Sequence, residues 1–170
     1  MIFATAAEYN PFHNGHAYHI SQIKKLGADG IIAVMSGSFV QRGEPAVMSK
    51  FERAKCAVRN GVDLVLELPV SFSVGSAERF AAGCVRIAEA TGVVSKFCFG
   101  SESANVPTFE KTVKTLETPE FSSVLKEELS EGKTFAAARA NALKELGAFA
   151  PEKPNDILAV EYIKELKRLK

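Results

Sequence analysis

The chain of 170 residues carries 21 basic and 20 acidic side chains and a formal net charge of +1. That length favours one domain, and that balance neither demands nor excludes a nucleic-acid partner. Hydrophobic residues make up 46% of the chain, enough for a buried core, yet no apolar run approaches the ~18 residues a membrane span needs. The N-terminus lacks a basic leader, so the expected location is cytoplasmic, with no membrane partner. Cys56, Cys84 and Cys98 form no CxxC pair, which argues against a disulfide framework and against a zinc site.

In chain order, the first apolar run, Ile2–Ala7, reads as a strand. A helix follows from about residue 14 to 26, with Ile20, Ile23 and Leu26 on one face. The second strand is expected over Gly30–Met35, the second helix from about 49 to 59, and the third strand over Asp63–Leu68. A third helix spans about 76 to 90, its apolar residues Ala77, Phe80, Ala81, Cys84, Ile87 and Ala88 repeating at helical spacing. Lys96–Phe99 reads as a fourth strand. None of the strands alternates cleanly, as expected when both faces are covered. Strands alternating with helices imply right-handed βαβ units, and so an α/β fold with a Rossmann-like parallel sheet flanked by helices. From about residue 105 the pattern turns helical. Residues 107 to 146 read as two or three helices, and a last helix begins at about Asp156 with Ile157, Val160, Ile163, Leu166 and Leu169 in a stripe. The basic tail, Lys164 to Lys170, reads as its solvated end.

Polar and glycine-rich clusters follow the strands. They are Glu8 to His16, Ser36 to Glu44, Glu67 to Pro69, and Gly100 to Glu102. Ligands of open parallel sheets bind outside the carboxyl ends of the strands, so these clusters are expected to converge on one cleft. His13-Asn14-Gly15-His16 sits between strand and helix, where unpaired amides and the positive end of the helix dipole suit a phosphate. Gly15 has no side chain to keep a nucleotide off the backbone. The imidazoles of His13 and His16 share the first-turn face and can donate hydrogen bonds to phosphates as charge builds in a transition state.

Other residues admit two readings. Arg42 is either a clamp for a phosphate or carboxylate, since guanidinium forks bind such groups, or a solvated loop arginine. Glu8 either positions a nucleotide, fixes a histidine tautomer or is a plain loop acid. Asn10 and Pro11 shape the turn that presents His13. Gly100 either admits a nucleoside closely or serves a tight turn. Asn155, just before an amphipathic stretch, reads as an N-cap. Lys50 reads as a first-turn helix residue and His19 as structural. Met48-Ser49-Lys50 lies too early in the chain to be a KMSKS loop. Glu67 and Glu102 do not make a spaced carboxylate set, so any Mg²⁺ is expected to be held mostly by phosphates and water.

Glu8-Tyr9-Asn10-Pro11-Phe12-His13-Asn14-Gly15-His16 resembles the HxGH signature of the nucleotidyltransferase superfamily. Three further segments, residues 35–46, 60–69 and 99–102, extend the likeness, as do Pro154 to Leu158 with Glu161-Tyr162. Together they resemble the bacterial tRNA(Met) cytidine acetate ligase family. That resemblance implies an enzyme that activates acetate with ATP as acetyl-adenylate and acetylates N4 of the wobble cytidine in elongator tRNA(Met). It assigns ATP contacts to the segment from Glu8 through Tyr9, Asn10, Pro11, Phe12, His13, Asn14 and Gly15 to His16, and to Gly100 and Asn155. His13, His16 and Arg42 are the candidate catalytic side chains. That family has about twice this length and carries a Ser/Thr-rich turn ending in Ile-Arg, which this chain lacks. The chain is therefore expected to be either the N-terminal, ATP-binding part of a longer protein, with tRNA bound mainly elsewhere, or a shortened relative. Two alternatives stay open: an adenylyl- or cytidylyltransferase acting on a small phosphorylated substrate, and a nucleotide-binding module without turnover.

Overall fold

The computed structural model describes residues 1–169. The final lysine of the basic tail, Lys170, lies outside the described residues. The chain divides into two compact units, one running from Met1 to Gly100 and a second beginning at Ser101.

The first unit is built on strands β1 (Ile2–Ala7), β2 (Gly30–Ser36), β3 (Leu64–Leu68) and β4 (Val94–Cys98). They form one sheet in the order β3-β2-β1-β4, with every pair parallel. This is the expected Rossmann-like arrangement, and it sends all four carboxyl ends to one edge. Helix α1 (Asn14–Lys25) connects β1 to β2, and α2 (Lys50–Arg59) connects β2 to β3. On one face, Phe3 of β1 and Ile31, Ala33 and Met35 of β2 share a core with Ile20 and Ile23 of α1 and Ala57 of α2. All seven residues of β2 are buried, because a central strand of a covered sheet has no solvent side.

Helix α4 (Ala77–Ala90) buries Phe80, Ala81, Cys84, Val85 and Ala88. Its Gly83 is fixed by packing: a Cβ there would fall 2.7 Å from Phe72 Cγ and 2.8 Å from Leu68 Cδ1. Phe72 belongs to α3 (Val70–Ser73), a single turn after Pro69 that hydrophobic periodicity does not reveal.

The second unit is helical throughout its named elements: α5 (Val106–Leu116), α6 (Pro119–Ser130), α7 (Phe135–Glu145) and α8 (Pro154–Arg168). Asn105, Thr118 and Thr134 cap the first three, each accepting a first-turn amide, the usual use of short polar side chains at helix starts. Phe121, Ala142, Leu143 and Ala148 form a core where α6 and α7 pack.

Several expected boundaries move: β2 ends at Ser36 and β3 starts at Leu64, each one residue later than expected. The fourth strand begins at Val94 and ends at Cys98, because pairing of Ile2 with Val94 and of Thr5 with Cys98 sets its limits. The last helix begins at Pro154, with Lys153 as its N-cap. Asn155 is therefore a first-turn residue and not the cap, since proline at the first helical position carries the fixed φ a helix start needs and lacks the amide that would go unpaired.

Candidate functional site

The carboxyl edge of the sheet in the first unit holds most of the candidate residues. After β1 the chain turns through Tyr9, whose φ of 48° lies in the left-handed region, sparsely populated by aromatic residues. Tyr9 is 2% exposed and packs in the core beneath α1. Its ring meets His16 edge-on at 4.9 Å and Phe12 at 5.0 Å. His13 and His16 stack with centroids 3.7 Å apart. Four rings thus form one layered support in which Tyr9 is the buried base and His13 the exposed end.

The two histidines also cap α1 reciprocally. The Gly15 amide donates to His13 Nδ1 at 3.0 Å, and the His13 amide donates to His16 Nδ1 at 3.2 Å. This is the logic of a capping box with imidazoles in place of hydroxyl and carboxylate. Because each Nδ1 accepts, the ring hydrogen of each sits on Nε2, a tautomer inferred from the bonding partners. Both rings therefore keep an Nε2–H donor that the helix cap does not use.

The expectation of free first-turn amides is corrected at Gly15, whose amide is taken by His13. Gly15 has a further reason to be glycine, since a Cβ would lie 2.9 Å from His13 Cε1. The first turn of α1 contains no acidic residue, so the positive end of its dipole is not neutralised locally.

Burial, followed by the nearby His13 and His19, pushes His16 down to about 4 from an ordinary 6.5. His16 is thus neutral at pH 7. The unfolded chain gains a proton there as pH falls below 6.5 while the native chain resists until about 4. The stability tied to the neutral ring is therefore complete above 6.5 and is lost on descent through about 4. The thermal midpoint of His16→Ala should fall less steeply than that of the unmodified chain between these limits. Superimposable profiles would contradict the assignment.

The loop after β2 is a small hairpin. Phe39 bridges Pro45, Val40 N donates to Glu44 O at 3.0 Å, and Gly43 takes φ 79° at the turn. Gln41 and Arg42 form its tip. Arg42 is exposed and has no partner among the described residues. The Ser73 hydroxyl holds the base of the hairpin by donating to Phe39 O at 2.6 Å.

Glu8 neither touches a histidine nor stands free: its Oε1 accepts the Gln41 amide at 2.6 Å. Asn10 Oδ1 accepts the Val47 amide at 2.8 Å. These two bonds tie the β1 turn to the β2 loop. Lys50 Nζ pairs with Glu67 Oε2 at 2.6 Å, so both charges are engaged, and the Glu67 carboxylate lies where a Cβ on Gly37 would point. Gly100 closes this unit after β4. It is not among the positive-φ glycines, and a Cβ there would meet nothing within 4 Å. Neither a left-handed backbone nor a crowded Cβ position requires glycine there.

In the second unit, Glu102 and the start of α8 cap each other. The amides of Glu102 and Ser103 each donate to Asp156 Oδ1 at 3.0 Å, and the Ser103 hydroxyl donates to Asp156 Oδ2. In return the Glu102 carboxylate accepts the Asp156 amide at 2.9 Å and Asn155 Nδ2 at 3.0 Å. Burial raises the Asp156 carboxyl, but the bonds from Ser103 and Glu102 and the nearby Lys153 together leave it below its ordinary value. Glu102 thereby supplies the cap that Lys153, which makes no side-chain cap bond, does not.

Among the described residues, no group of three or more His, Cys, Asp or Glu side chains is placed to hold a metal ion. No helix there is long and apolar enough to cross a membrane.

A parallel sheet whose first strand runs into a two-histidine helix start defines an α/β protein of the HxGH type. The chain belongs to the HIGH Nucleotidyl Transferase family, whose model matches residues 1–170. It is 48% identical to a tRNA(Met) cytidine acetate ligase from Acetivibrio thermocellus over 99% of this chain and 43% of that protein. A protein of the same name from Clostridium kluyveri is also 48% identical, over 99% of this chain and 45% of its own length. The structure of Thermotoga maritima TmcAL bound with alpha-thio ATP matches with a TM-score of 0.94 and 44% identity, over 99% of this chain and 44% of that one. The chain thus spans under half the length of these relatives.

Proposed function

We propose that this chain is the adenylate-forming part of an ATP-dependent acetate ligase that acetylates N4 of the wobble cytidine of elongator tRNA(Met). The observation that carries the reading is the paired-histidine cap of α1, in a chain 48% identical to proteins bearing that name.

In this reading the His13 and His16 Nε2–H groups donate to the α- and β-phosphates of ATP, and the acid-free start of α1 favours the same anion. Glu8, Tyr9, Asn10, Pro11, Phe12 and Asn14 build and support that turn. Gly15 keeps the helix start open, Gly100 gives the nucleoside backbone access, and Asn155 is assigned to ATP by the family resemblance. Arg42, exposed at its hairpin tip, clamps phosphate or carboxylate.

An acetate oxygen attacks the α-phosphorus, the bond from that phosphorus to the bridging oxygen breaks, and pyrophosphate leaves. The cytidine N4 amine then attacks the acetyl carbonyl, AMP departs, and N4 loses a proton. No covalent protein intermediate is needed, so the protein contributes position and charge stabilisation. Magnesium enters as the counter-ion of the nucleotide. The tRNA body is recognised mainly by the portion of the relatives that this chain does not span, and such a substrate places the reaction in the cytoplasm.

Acetate-dependent exchange of labelled pyrophosphate into ATP, measured with the intact gene product and magnesium, tests the reading. Exchange that needs a phosphorylated acceptor in place of acetate would move the assignment to a nucleotidyltransferase. ATP binding with no exchange under any acceptor would leave a binding module.

A further inference from the structure

Arg53 is a charged residue on α2 with 0% exposure, and each of its three guanidinium nitrogens donates to a backbone carbonyl. Nε donates to Met48 O at 3.2 Å, Nη1 donates to Glu8 O, and Nη2 donates to Gly37 O. Glu8 and Gly37 are the first residues beyond the carboxyl ends of the paired strands β1 and β2. Met48 lies at the far end of the loop that carries Arg42. One planar fork therefore fixes three points of chain, the furthest of them 45 residues from Arg53 in sequence. The Gln41–Glu8 and Val47–Asn10 bonds run between the same two segments.

The placement also has an electrostatic side. Backbone carbonyls at the carboxyl edge of a parallel sheet, those just past the strand ends included, present partial negative charge toward whatever binds there. A guanidinium bonded to two of them sets full positive charge against that edge, in a buried setting where charge is poorly screened. Burial lowers the Arg53 pKa from its ordinary value while Glu8 and Glu67 oppose that shift, and an arginine stays protonated regardless.

We propose that Arg53 is a positioning residue of the nucleotide site: it sets the spacing between the His13–His16 turn and the Arg42 hairpin, and it covers the carbonyl oxygens of Glu8 and Gly37 that would otherwise repel an anion. The proposal rests on the nucleotide reading above. Lysine keeps the charge but cannot reproduce a planar fork reaching three carbonyls, so Arg53→Lys separates spacing from charge.

Calorimetric titration with MgATP is the test, on the intact gene product, with the thermal midpoint recorded alongside. Arg53→Lys is expected to weaken ATP binding at least about tenfold while melting within a few degrees of the unmodified protein. The loss should shrink in a His16→Gln background, because a residue acting through the histidine turn is not additive with it. Asn10→Ala, which unties the same two segments without disturbing a buried charge, should weaken binding in the same direction, and it stands in if Arg53→Lys does not fold. Unchanged ATP affinity in whichever of these variants folds, or a loss fully additive with His16→Gln, would overturn the positioning role. Absence of ATP binding by the unmodified protein would instead overturn the nucleotide reading itself.

Discussion

His16→Ala is expected to lower the rate of adenylate formation about 10²–10³-fold, the effect of deleting one preorganised donor aimed at developing charge. ATP affinity should change less, because such donors act most strongly in the transition state. The substitution also removes the acceptor of the His13 amide and uncovers the Tyr9 ring edge, so alanine alone mixes a lost donor with a frayed helix start. His16→Gln separates them. Glutamine at the third helical position is a natural capping-box residue, and its carbonyl can accept the His13 amide. That variant should melt like the unmodified protein and still lose most of its pyrophosphate exchange. Exchange within about threefold of normal in His16→Gln would mean that the ring serves the cap and not the phosphates.

The site was legible in the sequence where the chemistry is local. A histidine pair around glycine, directly after an apolar strand, is a pattern of neighbouring residues, and α1 begins at Asn14 as that pattern requires. The all-apolar run of β2 likewise announced a strand covered on both faces. β4 was harder to bound. It is an edge strand with Ser95 and Lys96 exposed, so apolar periodicity does not mark its start and pairing with β1 decides it.

What sequence reasoning missed is non-local. Arg53 sits on an amphipathic helix where a charge ordinarily faces water, and nothing in its neighbourhood shows that three carbonyls await it. Glu8 invited a role toward histidine or nucleotide, yet its partner is an amide 33 residues away. Asn155 could have been placed better, because the proline before it is itself a helix-start signal.

The second large expected effect concerns the helix that carries Asn155. Arg139 of α7 and Lys164 of α8 both pair with Glu161, at 2.6 Å and 2.5 Å, and Glu161 is only 1% exposed. Arg139→Ala should destabilise the chain by about 3 kcal/mol, because removing one partner of a buried pair leaves a carboxylate without full compensation for its lost hydration. The double variant Arg139→Ala with Glu161→Ala should be less destabilised than Arg139→Ala alone, since no buried anion then remains short of partners. Urea unfolding of the three forms measures this. A midpoint for Arg139→Ala equal to that of the unmodified chain would show the pair to be a surface contact in effect. If the effect has the expected size, the pairing of α7 with α8 is what holds Glu161 inside. The Glu102–Asp156 exchange of caps then acts on a helix already fixed along its length, and Asn155 is presented from a rigid first turn.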